Sequence, residues 1–170
     1  MSTKTHLALL LTGMAWAGGS AIGAEMSADQ QALLKALPEA KITLQQGLAA
    51  SASQGQPLSA KFEIDEGHFQ LSVYTAKGSA FSEVIVDYTT GKIAKAEAIT
   101  EADDLSAARK QSAAAAQATS TLAAAVDKAE HDLAGYRAVS VTTKLRQHHA
   151  VALVTLVKGQ QFKSISEPLE

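Results

Sequence analysis

Asp127, Glu130 and His131 come closest to forming a reactive centre in this chain. Spacings of three and four put Asp127 and His131 on one face of a helix, where they offer oxygen and nitrogen ligands to a metal ion. The order resembles the His-x-x-Glu-His zinc pattern, with Asp127 where the first His belongs and no third ligand in sight. A solvated, ion-paired helix end accounts for the same residues. His148 and His149, with His68, make a second cluster. Neighbours on an extended chain point to opposite faces, so the pair does not chelate together on a strand, and a polar loop explains it equally well. His131, His148 and His149 stay as metal-ligand candidates, and no cofactor is assigned.

Other chemistries find less support. The chain has no Cys and no Gly-x-Ser-x-Gly elbow, and its Ser and Thr residues fall at helix caps or in short alternating runs. Asp65-Glu66 and Asp103-Asp104 are adjacent acids at a turn and a helix start, where solvent and the helix dipole account for them. No Gly-rich phosphate loop is present. The reading is of a non-catalytic protein.

The elements that would carry these residues follow a regular order. Ser27-Ala28-Asp29-Gln30 has the form of a capping box before an Ala/Leu-rich helix closed by Pro38, and Thr43-Leu44-Gln45-Gln46 repeats it for a second helix to about Ser53. Gln54-Gly55-Gln56-Pro57 stops that helix. Leu58, Ala60, Phe62 and Ile64 then alternate with polar neighbours, a half-buried strand. Asp65–His68 turns the chain into Phe69–Thr75, Ala76–Ser79 into Ala80–Asp87, and Tyr88–Gly91 into Lys92–Ile99. Acids at 101, 103 and 104 open an Ala-rich helix over 105–118, and Thr121 caps another that ends near Asp132. After Gly135 come a strand over Tyr136–Thr142, a loop over Thr143–His149, and strands over Ala150–Val157 and Gln161–Glu167.

The central stretch of this pattern, Ala80–Lys92, has a later echo. Lys77-Gly78 with Phe81 and Val84 matches Lys158-Gly159 with Phe162 and Ile165, and Thr43-Leu44 matches Thr121-Leu122. The same order of elements recurs if about three extra residues are placed between Thr143 and His149, which reads as an internal duplication.

With 17 acidic against 15 basic residues, scattered along the chain, and few aromatics, nothing marks a nucleic-acid or anionic-lipid surface. Lys4, the apolar run Leu7–Ala17 and the small residues up to Ala24 read as a secretory signal peptide with cleavage after Ala24, a run too short to span a membrane. Without Cys there is neither a disulfide framework nor a lipidation site. The expected compartment is the periplasm, with no membrane anchor once the signal is removed.

Lys61–Asp65 with Leu71–Thr75, Phe81–Asp87 with the turn ending in Gly91-Lys92, and Gly135–Val141 resemble the PepSY family, and in particular secreted proteins with two such units. Tyr88 stands where the family often has Pro, and the second half lacks the Asp-x-x-x-Gly-Lys turn. The resemblance implies an α+β fold, a tandem repeat of helices packed on one face of an antiparallel sheet, similar in arrangement to β-lactamase inhibitor protein. The units would be 25–100 and 101–170, after a signal peptide over 1–24. It further implies binding or modulation of a peptidase or other exported protein, and it brings no set of functional residues.

One strand points to a partner surface. In Ala150–Val157 the residues Ala152, Val154 and Leu156 are expected to face the helices, yet Val151, Leu153 and Val157 on the opposite side are also apolar. Either the strand is covered on both sides, or these three form a dimer or protein-binding surface. Sheet edges could also accept an extended peptide. The expected partner is an exported protein or peptide, with a homodimer as a further option; the competing reading is a periplasmic small-ligand or metal-ion carrier.

Overall fold

A computed structural model describes residues 26–170. The stretch over 1–24, read above as a signal peptide, lies outside the described residues. The fold is α+β: among the described residues there are four α-helices and one seven-stranded antiparallel sheet in the order β4-β3-β2-β1-β5-β6-β7.

Both capping boxes form. Ser27 and Gln30 exchange side-chain and backbone hydrogen bonds ahead of α1 (Ala28–Ala36), and Thr43 and Gln46 do so ahead of α2 (Leu44–Ser51). Each satisfies amide donors that a helix start leaves open. Pro38 sits in a single 3₁₀ turn, Leu37–Glu39, between them. The strands β1 (Gln56–Asp65), β2 (His68–Lys77), β3 (Ala80–Val86) and β4 (Ile93–Ala98) form a meander. The helices α3 (Ala102–Ala115) and α4 (Leu122–Asp132) follow, and then β5 (Arg137–Arg146), β6 (His149–Lys158) and β7 (Gln161–Pro168) form a second meander. The two meanders join where Ser59, Ala60 and Lys61 of β1 pair with Thr142, Val141 and Ser140 of β5.

Alternation assigns the core. Ala60, Phe62, Leu71, Val73, Val84 and Val86 form one cluster with Leu44 and Leu48 of α2 and with Leu122, Ala125, Val126 and Ala129 of α4. Ala152, Val154 and Leu156 join it, each fully buried, as their period of two requires. Gly47 lets α2 settle onto the sheet, since a Cβ there would run into the buried side chain of Leu71.

Three expectations are corrected. The segment 143–149 is not a loop: β5 runs on to Arg146 and β6 begins at His149, leaving Gln147 and His148 as a two-residue turn with φ of 50° and 69°. Thr143 stays in the sheet because it is buried and donates its hydroxyl to Leu58 O at 2.8 Å. The hairpin β1–β2 likewise closes from Asp65 to His68, so the spare residues lie elsewhere: α4 has 11 residues against 8 in α2. Finally, the helices do not all lie on one face. Ala108 and Ala115 of α3 pack with Leu58, Ala76 and Phe81, and strand alternation puts Ala76 and Phe81 on the side of the sheet opposite Val73 and Val84. A contact stripe made mostly of alanine has no strong moment to show in the sequence which face it will meet.

Candidate functional site

The face of the first meander that turns away from α2 is polar and concave. Lys61 and Glu63 on β1, Gln70 and Tyr74 on β2, Glu83 and Ile85 on β3, and Lys95 and Glu97 on β4 form its floor. The β1–β2 turn, with Asp65, Glu66 and His68, bounds one side, and Glu101 and Asp104 at the start of α3 bound another. The cavity measures about 820 Å³, within the ~300–1,000 Å³ usual for ligand sites.

Strand pairing sets its geometry. Tyr74 lies directly across from Glu83, and Glu83 directly across from Glu97. The Tyr74 hydroxyl donates to Glu83 Oε1 at 3.1 Å. Burial, followed by the negative charges of Glu83 and Glu63, holds the phenol well above the usual tyrosine range. Lys61 Nζ pairs with Glu63 and lies 5.7 Å from the centre of the Tyr74 ring. Lys95 Nζ pairs with Glu97 at 2.7 Å. Two carboxylates facing each other across neighbouring strands repel unless positive charge lies between or beside them.

The metal candidates are not brought together. His131 projects to solvent and contacts only its neighbour Asp132, at 3.2 Å. Asp127 and Glu130 accept from Gln45 Nε2 at 2.9 and 2.8 Å, which ties α4 to α2, and Glu130 also accepts from Ala138 N at 2.8 Å. His148 occupies the β5–β6 turn, while His149 Nδ1 meets Glu170 Oε1 at 2.6 Å. Among the described residues no three His, Cys, Asp or Glu side chains are placed to hold a metal ion. No helix among them is long and apolar enough to cross a membrane.

The proposed partner surface on β6 is also corrected. Val151 and Val157 are buried and Leu153 is half-buried, so the strand is covered on both sides. α3 lies against β5, β1, β6 and β2, and Val157 belongs to the main core cluster.

One structural residue escaped the sequence reading, and one turn gains its explanation. Arg137 donates to Leu37 O, Ala40 O and Ile42 O at 3.2, 3.3 and 3.0 Å, and its guanidinium lies 5.4 Å from the centre of the Phe62 ring. It closes the carbonyl end of the α1–α2 connection from the far half of the chain. Asp87 Oδ1 accepts from Thr89 N and Thr90 N at 2.8 and 2.7 Å, and these bonds lower its pKa. The Asp-x-x-x-Gly-Lys stretch is therefore a self-bonded turn, with Gly91 at φ 74°. The groove itself left a trace in the sequence: Lys61-x-Glu63 and Lys95-x-Glu97 place opposite charges two apart, and so on one face of a strand.

Compared with family profiles and with curated proteins, the chain matches none. Among solved structures, one from Clostridium difficile 630 described as a "putative lipoprotein" matches with a TM-score of 0.42 and 15% identity, over 67% of this chain and 75% of that one.

Proposed function

We propose that this chain is an exported, periplasmic, non-catalytic binding protein of PepSY-like, tandem-repeat construction, with units 25–100 and 101–170. It takes a segment of another exported protein, a peptidase being one candidate, onto the open sheet face of the first unit. Support for the repeat comes from the order two helices then meander, met twice, from hairpins β1–β2 and β5–β6 with the same two-residue closure, and from a bulge near the start of both β1 and β5. Support for binding rests on one observation above all: the part of the β1–β4 face beyond α3 is left open among the described residues and forms a cavity of about 820 Å³, while α3 and the core cover the corresponding apolar face of β6.

Site-specific crosslinking tests this reading. A photo-crosslinking residue at Ile85, in the groove, is expected to give a discrete adduct with an exported protein in cells, whereas the same residue at the exposed Leu145 is not. Adducts of equal yield at both positions, or none at Ile85, would count against it.

A further inference from the structure

Charge is segregated into the groove. Seven of the sequence's 17 acidic residues line it, against two of the 15 basic ones. The near-neutral total of −2 conceals this imbalance. Its floor also sets like charges face to face, Glu83 against Glu97, an arrangement that neighbouring positive charge relieves.

The groove already holds cations of its own. Lys61 lies with its ammonium near the face of Tyr74 and paired to Glu63, and Lys95 is paired to Glu97. An ammonium in such a place gains from the ring's negative face and from the carboxylate together. The chemistry of recognition is thus present within the chain, in a groove whose acids outnumber its bases seven to two.

Resting on the binding reading above, we propose that the groove's occupant is a cationic extended polypeptide segment carrying Lys or Arg side chains. Four strands span about 14 Å, the reach of roughly four extended residues, so a short basic run suffices. Lys or Arg side chains of the segment meet Glu63, Glu83 and Glu101, and their aliphatic stems lie along Ile85. An acidic or neutral segment of the same length lacks these partners.

The test uses fluorescent hexalysine and hexaglutamate with the protein lacking its first 24 residues. Hexalysine is expected to bind at least about tenfold more tightly than hexaglutamate and to weaken by about tenfold between roughly 50 and 500 mM salt. Backbone amide shifts on titration should centre on Lys61, Tyr74 and Glu83. The triple variant Glu63→Gln, Glu83→Gln, Glu101→Gln should lose about tenfold in affinity. The equally charged control Asp29→Asn, Glu39→Gln, Glu170→Gln should not. Equal binding of both peptides, equal losses in both triple variants, or shifts centred elsewhere would overturn the proposal; the shift map uses the unaltered protein and does not depend on any variant folding. If the Ile85 crosslinker still captures an exported protein while hexalysine fails, the charge assignment falls and the binding reading stands.

Discussion

Two residues carry consequences well beyond their own strands. Arg137 donates to three carbonyls of the α1–α2 connection, one of which, Leu37 O, also accepts from Ala40 N, and an unsatisfied buried polar group costs about 1–3 kcal/mol. Arg137→Ala is accordingly expected to lower unfolding free energy by about that amount in urea titrations. Arg137→Lys should recover less than half, because an ammonium does not present the fork that reaches three acceptors. Tyr74 governs alkaline behaviour. Its phenol is raised by burial and by Glu83 and Glu63, so the folded state holds the proton after the unfolded state has lost it. The contribution is present below the unfolded value of about 10 and is lost as pH rises above it. Urea titrations between about pH 8 and 11 should show stability falling faster in the native protein than in Tyr74→Phe. Identical slopes would show that the phenol plays no part. None of this was visible in one dimension: the partners of Arg137 are about a hundred positions away, and the carboxylates around Tyr74 come from other strands.

At the scale of elements, local chemistry was legible wherever one residue type had one way to act. The capping boxes at Ser27 and Thr43, the stop at Gly55-Gln56-Pro57 and the self-bonded turn at Asp87 appear where their residues predict them. The β5–β6 turn was missed because Gln147 and His148 are not turn formers, yet both adopt left-handed backbone. Strand pairing on either side imposes that conformation at a cost of roughly 1–2 kcal/mol per residue. Replacing Gln147-His148 with Asn-Gly should therefore stabilise the protein by about 1–2 kcal/mol, raising Tm by roughly 2–8 °C in calorimetry. An unchanged or lower Tm would mean that the present side chains hold the turn in some other way. α3 was read correctly as a helix and wrongly as a member of the common helical layer. Its inward side is Ala108, Gln111, Ala114 and Ala115, and alanine favours a helix without selecting the surface that receives it.

For the whole molecule, the seam between β1 and β5 decides whether the two meanders are separable. Ser59–Lys61 pair across it, and Leu44 and Leu122, both buried, share a single core with strands from both sides. A fragment over 26–100 would expose the edge of β1 and half of that core. It is expected to lack a dispersed amide spectrum alone and to regain one when mixed with 101–170; a folded isolated fragment would show two independent domains instead. By itself the sequence determined the order of elements and the apolar side of nearly every strand, since caps, alternation and turn chemistry act over a few residues. Tertiary structure alone decided which face α3 covers, that Val151 and Val157 are interior, and that acids from three strands, the β1–β2 turn and a helix start converge on one groove. Those outcomes depend on which strand lies beside which, and that pairing is settled by contacts between residues far apart in the chain.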